Sequence, residues 1–395
     1  MAILLPGFST TIHTEKNKLT VRAKLFFIDK QQKMTKAGIS PDETMSLATV
    51  MSGAGAGAAQ PSPDQPGKRL RGLSIKLLIL RTGPLLILLI LAVVLSLTVP
   101  VFMTTRNVGN ILAQTAVIAT VAMGQHLVIL TRGIDLSVGS NLALASVIGA
   151  LTYQAVNSSF LVILAMISTG ALVGATNGLT YVFGRLPHPF IITLATLSIA
   201  KGLALQLSDG RALPGMPDAI TFIGHESIGW LPISAFVVAA LAIVLFALTK
   251  LLVWGNWAYA LGGNPEAARR TGIPVRSLLV SVYVISGATA GIGAVILAGR
   301  TNAGSPLFGN LLELDTIAAV IIGGASFLGG RGHLGHALVG ALMIGVIRNA
   351  LNLLNVGIFL QLIVIGVVIV LAVEADVLRN HLEERFRVLQ GARMQ

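Results

Sequence analysis

Ten apolar segments, most of them free of charged residues, follow one another along the chain from residue 83 onward. An α-helix of about 20 apolar residues is long enough to cross a hydrocarbon core of about 30 Å. The eighth segment is short and contains two glycines, which predicts a broken or partial helix covered by protein. The predicted spans are residues 83–103, 110–130, 137–156, 160–183, 190–207, 233–252, 278–298, 316–327, 334–353 and 358–373.

The composition supports membrane residence. Hydrophobic residues make up 54% of the 395 residues and charged residues only 11%, whereas soluble proteins carry about 25% charged residues. The 43 glycines favour close approach of transmembrane helices. The sequence therefore predicts an all-α fold, a polytopic transmembrane helix bundle.

The distribution of charge predicts the orientation of the bundle. The net charge is +12, and residues 1–81 hold 12 Lys and Arg against 5 Asp and Glu. An N-terminus inside the cell places seven basic residues in inner loops and three in outer loops, as the positive-inside rule requires. We therefore expect both termini to be cytoplasmic, although eight or nine spans remain open. The inner residues are Arg132, Arg185, Lys250, Arg269, Arg270, Arg276 and Arg331, and the outer ones are Arg106, Arg211 and Arg300.

The chain divides into three parts. Residues 1–67 are polar and basic, then rich in Gly, Ala and Pro, which predicts a disordered cytoplasmic arm. Internal methionines at positions 34, 45 and 51 are candidate alternative starts. Residues 68–378 form the predicted transmembrane domain, and residues 379–395 a cytoplasmic tail. The chain has no basic stripe interleaved with aromatic residues, which is the pattern that would predict nucleic-acid binding.

The first segment with distinctive chemistry is Thr131–Ser140, which places a carboxylate, hydroxyls and glycines between two apolar spans. Polar groups at membrane depth often mark a translocation path, so Asp135, Ser137 and Ser140 are candidates for one. Asp135 is also well suited to be the N-cap of the following helix. The two interpretations are compatible.

The second segment, residues 262–274, predicts a short amphipathic helix in the longest inner loop. Asn264 is suited to cap it, Pro265 to its first turn, and Gly272 to its end. A docking surface for a cytoplasmic partner requires such a helix, although a plain connector remains the alternative. The residues assigned to it are Asn264, Pro265, Glu266, Ala267, Ala268, Arg269, Arg270 and Gly272.

The third segment, residues 321–335, contains six glycines. A nucleotide-binding loop needs Gly-Lys-Ser/Thr, which occurs nowhere in the chain. We therefore predict a closely packed hairpin between spans. If ATP drives the activity, the nucleotide and its Mg²⁺ bind to another polypeptide, and this chain binds no cofactor.

Isolated polar residues within the spans are further candidates. Gln114, Gln125 and Asn349 are assigned to a translocation path, although such residues more often bridge helices. Lys201 and Arg348 are expected to extend toward a membrane interface. Asp135 and Asp315 are acidic residues close to span ends, and no acidic residue lies within a predicted span. The chain contains no cysteine, and no spacing predicts a metal site or a catalytic group.

Three runs give the chain a resemblance to a known family, the ribose/xylose-type permeases of ATP-binding-cassette importers. They are Gly-Ile-Asp-Leu-Ser-Val-Gly-Ser at 133–140, Gly-Gly-Asn-Pro-Glu-Ala-Ala-Arg at 262–269 and Ile-Gly-Gly-Ala-Ser-Phe-Leu-Gly-Gly-Arg-Gly at 322–332. The similarity covers about residues 80–378. Arg348 departs from it, because an uncharged polar residue is more usual there. A charge at this position is expected either to pair with a carboxylate or to reach a membrane face.

The resemblance implies a multi-pass monosaccharide permease of the bacterial inner membrane that is not itself an enzyme. Its implied partners are a second permease subunit, identical or related, an ATPase subunit and a periplasmic sugar-binding protein. It also identifies the helix at 264–272 as the coupling helix that docks on the ATPase. The alternatives are a permease for another small polar solute, such as a branched-chain amino acid or nucleoside, and an ion-coupled secondary transporter.

Overall fold

A computed structural model of the chain describes residues 83–391, with side chains described up to residue 378 and at 381 and 382. The predicted arm of residues 1–67 and the candidate alternative starts lie outside the described residues. The described part contains thirteen helices and two pairs of very short antiparallel strands. The all-α bundle predicted from the sequence is confirmed.

The helices are named α1 to α13 in chain order. They are α1 Gly83–Thr98, α2 Thr105–Leu130, α3 Val138–Ala155, α4 Ser159–Phe183, α5 Pro189–Leu207, α6 Asp218–His225, α7 Ile233–Lys250, α8 Val253–Gly263, α9 Pro265–Arg270, α10 Val275–Thr301, α11 Leu312–Ile322, α12 Leu334–Leu353 and α13 Ile358–Gly391. Strand β1 (Leu213–Pro214) pairs with β4 (Ala303–Gly304), and β2 (Ser227–Ile228) pairs with β3 (Leu231–Pro232).

Each predicted span coincides with a helix, but the helices differ in length. Among the described residues, seven helices are long and apolar enough to cross a membrane, namely α2, α4, α5, α7, α10, α12 and the Ile358–Leu378 part of α13. Helix α1 is shorter in the described region, α3 is more polar, and α11 has only 11 residues. The partial helix predicted at 316–327 is therefore confirmed, whereas the total of ten spans stays a prediction.

Helix α10 packs closely against α4 through glycines on both helices. Gly170 and Gly174 of α4 face Gly287 and Gly291 of α10, and a methyl group on any of them would overlap the backbone of the other helix. Small residues are what permits such approach in a membrane, where no hydrophobic force drives helices together. Helix α2 is mostly buried beside this pair, whereas few residues of α7 and of the Ile358–Leu378 part of α13 are buried.

Helix α3 is short because the chain before it is not helical. Residues 131–137 turn back along the last turns of α2, with the Gly133 N–H donating to the Val128 carbonyl at 2.9 Å. Thr131, Gly133, Asp135 and Ser137 are buried along this stretch. Since such backbone is tolerated in a membrane protein only where protein covers it, this connector lies in the interior and α3 begins there.

A second non-helical segment approaches the same region before α11. Ser305 exchanges hydrogen bonds with the Ser146 hydroxyl of α3, at 3.1 and 3.3 Å, and Gly309 packs against Gly139. The seven residues from 146 to 139 correspond to about 10 Å of helix, so this segment runs along α3 toward its start. The beginnings of α3 and α11 therefore meet at Gly139 and Gly309.

The basic residues assigned to inner loops gather at one end of the bundle. Arg132 contacts the end of α8, and Lys250 lies 4.9 Å from the Tyr259 ring centroid. Arg185, Arg269 and Arg276 line one cavity beside α9. The three residues assigned to outer loops lie at the opposite end, near the two strand pairs. This segregation is what the positive-inside prediction requires, and we call the first end the basic end.

Candidate functional site

Helix α9 projects from the basic end as a short, fully capped helix. The Asn264 side-chain oxygen accepts a hydrogen bond from the Ala267 N–H at 3.1 Å, and Pro265 occupies the first turn. Asn at the N-cap and Pro in the first turn both satisfy the start of a helix, where N–H groups lack partners within the helix. The sequence prediction of a helix beginning at Asn264 is confirmed.

The C-terminal end of α9 closes with a left-handed glycine. Gly272 has φ +81°, which glycine adopts without the strain that a Cβ would cause. The Gly272 N–H donates to the Arg269 carbonyl and the Ile273 N–H to the Ala268 carbonyl, both at 3.3 Å. This pair of bonds is a Schellman motif, and it confirms the predicted role of Gly272.

One face of α9 is buried and the other is charged and exposed. Ala268 is 3% exposed and packs with Leu130, Leu261 and Leu278. On the outer face, Glu266 and Arg270 form an ion pair at 3.1 Å, with side-chain exposures of 70% and 79%. Because so exposed a pair contributes little stability, these charges are free to meet a partner at small cost.

Arg132 links α9 to the connector that precedes α3. Its Nε donates to the Gly262 carbonyl at 2.6 Å and its terminal NH₂ to the Gly263 carbonyl at 2.8 Å. Both carbonyls lie immediately before Asn264, at the end of α8. The guanidinium, a rigid fork of donors, therefore fixes the base of α9 to residues 131–137.

The glycine-rich segment completes this junction. The Gly330 N–H donates to the Leu130 carbonyl at 2.9 Å, and the Tyr259 hydroxyl donates to the Gly332 carbonyl at 2.8 Å. Gly329, Gly330 and Gly332 all have positive φ, a conformation that explains why glycine stands there. The predicted close packing of this hairpin is confirmed, and the three segments singled out in the sequence meet at one place.

The surroundings of the junction also change the pKa of one of its side chains, His333. The Lys250 amine lies 3.5 Å from His333 Nε2. Partial burial, with a smaller contribution from the nearby Lys250 charge, lowers the pKa of His333, so this imidazole is neutral near pH 7. Among the described residues, no cluster of three His, Cys, Asp or Glu is arranged to hold a metal ion.

Asp135 lies in a buried polar network inside the bundle. Its Oδ1 accepts hydrogen bonds from the Ser137 N–H at 2.9 Å and the Ser137 hydroxyl at 2.6 Å, and Asn177 of α4 donates to that hydroxyl at 2.8 Å. The N-cap of α3 is Ser137, so the assignment of Asp135 as N-cap is wrong by two residues. The helix begins later because the connector is held extended in the interior.

Gln125 joins the same network. In the amide orientation that satisfies both groups, its side chain donates to the Asp135 carbonyl and accepts from the Asp135 N–H, each at 3.2 Å. These two hydrogen bonds to the backbone occupy the Gln125 amide, which therefore bridges α2 and the connector. Ser140 is buried one turn into α3. The role of these residues in a translocation path stays a prediction.

A polar cavity of about 390 Å³ lies nearer the opposite end. Arg348 of α12 donates to the Asp315 carboxylate of α11 at 2.6 Å at its edge, with side-chain exposures of 31% and 6%. The charge at position 348 therefore pairs with a carboxylate, which was one of the two expectations for it, instead of extending to a membrane interface. Other polar residues lining the cavity are Gln114, Arg300, Asn310 and Asn352, beside apolar residues of α2, α10 and α11.

The remaining predicted path residues are placed differently. Asn349 is buried and exchanges two hydrogen bonds with Asn107, at 2.9 and 3.0 Å, which ties α12 to α2. Lys201 donates to the Pro306 carbonyl at 2.6 Å, so it too is held by the protein instead of extending to an interface. Of the predicted path residues, Gln114 is the one that lines the polar cavity.

Two residues of this arrangement were missed as site residues in the sequence. Arg132 was counted only as an inner-loop charge, yet its place between the end of a span and Gly133 was a usable signal. Asn177 is a lone amide in an apolar helix, and only its contact with Ser137, 40 residues away, reveals its part in the network.

Comparison with known proteins places this geometry in context. Residues 107–373 match the family described as the permease component of branched-chain amino acid transport systems. The ribose import permease protein of Bacillus subtilis (strain 168) is 38% identical over 298 residues, which are 75% of this chain and 92% of that protein. No solved structure is significantly similar to the chain.

Two further relatives carry other sugar names. The D-allose transport system permease protein of Escherichia coli (strain K12) is 38% identical over 290 residues, 73% of this chain and 88% of that protein. The L-arabinose ABC transporter permease protein of Azospirillum brasilense is 34% identical over 336 residues, 83% of this chain and 97% of that protein.

Proposed function

This chain belongs to the family of permease components of branched-chain amino acid transport systems, and from that membership together with its relatives named for sugars we propose that it is the membrane-spanning subunit of an ATP-binding-cassette importer for a monosaccharide. It is a multi-pass protein of the inner membrane, with seven described helices long and apolar enough to span it. Its relatives named for ribose, allose and arabinose transport support a sugar of that size as cargo.

The importer requires partners that this chain would bind. They are an ATPase subunit that holds ATP and Mg²⁺, a periplasmic sugar-binding protein and a second permease subunit, identical or related. The observation that carries the ATPase proposal is α9, whose outer face is charged and exposed while its inner face is packed against the bundle. The chain's lack of a Gly-Lys-Ser/Thr run agrees with nucleotide binding on a separate chain.

The contacts of α9 suggest how movement would reach the membrane interior. A shift of α9 would pull on Arg132 through the Gly262 and Gly263 carbonyls, and Arg132 belongs to the connector that leads through Asp135 into α3. The start of α3 packs against Gly309, and α11 begins three residues later with Asp315 in its first turn. This chain of contacts ends at the Asp315–Arg348 pair beside the polar cavity.

On this proposal, transport is alternating access. ATP binding would bring the two ATPases together, and their α9 contacts would rearrange the paired permeases. The path would open to the periplasm, take sugar from the binding protein, and reopen inward after hydrolysis. Neutral hydrogen-bonding groups such as Gln114, Asn310 and Asn352 suit a sugar hydroxyl along the way.

The family's description also names branched-chain amino acids, which makes an amino-acid cargo the second candidate. Proteoliposomes containing the permease, its cognate ATPase and binding protein distinguish the two when uptake of labelled ribose, allose, arabinose and leucine is compared. ATP-dependent uptake of a sugar supports the proposal. Uptake of leucine alone would favour the second candidate, and uptake driven by an ion gradient without the ATPase would favour a secondary transporter.

A further inference from the structure

A cavity of about 680 Å³ at the basic end lies between the end of α4 and the junction of α9 with α10. Arg185, Arg269 and Arg276 line it, each from a different part of the chain. None of the three forms an ion pair with a carboxylate among residues 83–378. Three like charges around one cavity repel one another, so an anion bound among them is favoured.

The chemistry of the three side chains indicates what kind of anion fits. Guanidinium groups bind phosphate oxygens with paired, charge-assisted hydrogen bonds. The Ser277 hydroxyl also lines the cavity and can donate to a phosphate oxygen. A phosphate or phosphodiester therefore matches this lining better than a neutral sugar does.

A second, apolar groove continues from this cavity. It has a volume of about 460 Å³ and shares Arg276 and Ser277 with the first. From there it follows α4 past Phe183 and Leu179 and follows α10 past Val280 and Val284. Residues four apart on a helix lie on one face, so the groove runs along two membrane helices toward the hydrocarbon core.

We propose that an anionic phospholipid of the inner leaflet binds here, with its phosphate among Arg185, Arg269 and Arg276 and an acyl chain in the groove between α4 and α10. A soluble phosphate would leave the apolar groove unfilled, and so would an acidic segment of a partner protein. The position agrees with the predicted cytoplasmic location of the basic end, where anionic lipids attract basic residues and basic pockets between helices take lipid head groups.

The site has a structural consequence for α9. Arg269 belongs to α9, whereas Arg185 follows the end of α4 and Arg276 lies in the first turn of α10. One head group bound to all three would hold α9 against both membrane helices. The lipid would then fix the position of α9 without touching the exposed Glu266–Arg270 face.

The test is native mass spectrometry of the purified full chain in detergent, titrated with phosphatidylglycerol or with phosphatidylcholine of identical acyl chains. We expect tight binding of one phosphatidylglycerol and weaker binding of phosphatidylcholine. The double variant R185Q/R276Q should weaken phosphatidylglycerol binding at least about fivefold, and R211Q, which removes an arginine at the opposite end, should not. The single variant R185Q, at an exposed position, keeps the test valid if the double variant does not fold.

Two further measurements separate the lipid from other occupants. Filling the groove with V284W should weaken phosphatidylglycerol binding but leave binding of glycerol 1-phosphate unchanged. Equal affinity for both ligands and no effect of V284W would identify a soluble-anion site and overturn the proposal. Loss of the lipid on assembly with the cognate ATPase subunit would assign the cavity to that interface and overturn it too, as would unchanged binding in R185Q/R276Q.

Discussion

Arg348 of α12 and Asp315 of α11 form an ion pair at 2.6 Å, with the carboxylate almost wholly buried. Removing one partner of a buried pair leaves an uncompensated charge, which is more costly than removing both. We expect R348Q to lower the free energy of unfolding by about 3 kcal/mol and R348Q/D315N to recover part of that loss. Thermal unfolding in detergent of both single variants and the double variant measures the coupling. Additive losses would show that the two groups do not interact.

Glu266 tests the docking role of α9. Its exposed pair with Arg270 contributes at most about 0.5 kcal/mol, so E266A should fold normally and yet reduce ATP-dependent uptake by weakening contact with the ATPase. E374A is the matched control, because Glu374 is also exposed but lies on α13. Uptake and ATP hydrolysis are measured together in proteoliposomes. Equal uptake by E266A and E374A would remove the coupling assignment.

Gly272 tests the shape of α9 independently of its charges. An alanine at φ +81° is strained by about 1 kcal/mol or more, so G272A should loosen the end of α9 while the bundle stays folded. We expect the ratio of sugar imported to ATP hydrolysed to fall. Unchanged coupling in G272A would mean that the end of α9 is not part of the ATPase contact.

Arg132 offers a test of the link between α9 and the connector. Its backbone has φ +66°, which glycine accepts without strain, so R132G removes the guanidinium bonds to Gly262 and Gly263 while relieving the backbone. We expect R132G to hydrolyse ATP with reduced uptake, and R132K, which retains a charge but not the fork, to be intermediate. Wild-type coupling in R132G would show that the connector is not on the route.

Asp135 separates a structural role from a role in the path. D135A deletes the acceptor for Ser137 and should lower the free energy of unfolding by about 1–3 kcal/mol. D135N keeps an oxygen for both bonds, so we expect it to fold normally and to retain uptake, since the carboxylate is 1% exposed. A stable D135N that no longer transports would instead place the charge of Asp135 in the translocation path.

The sequence was most informative where the signals are local. The capping of α9 follows from residues within one turn, so Asn264, Pro265 and Gly272 were each assigned correctly. The positions of the apolar helices follow from runs of side chains, and their locations agree with the structure. The importer family rests on three motifs whose meeting at the basic end depends on tertiary contacts.

The sequence did not predict how deep in the bundle a helix begins, nor which residues far apart in sequence pair with each other. Residues 137–156 read as a full span, but α3 begins inside the bundle because the preceding connector folds back along α2. No local pattern encodes that depth. Likewise Arg348 and Asp315 are 33 residues apart, and Ser137 and Asn177 are 40 apart, so their partnerships follow only from how the helices pack.

The meeting of α3 with the segment before α11 has a consequence for the order in which the protein is made. Ser146 leaves the ribosome 159 residues before its partner Ser305, and Gly139 precedes its partner Gly309 by a similar stretch of chain. Until those partners arrive, the backbone at the start of α3 lacks its protein cover, and an uncovered non-helical backbone is costly in lipid. The first half of the bundle must therefore wait in an incomplete state during biogenesis, and a chain truncated before residue 305 would present its interior to membrane quality control.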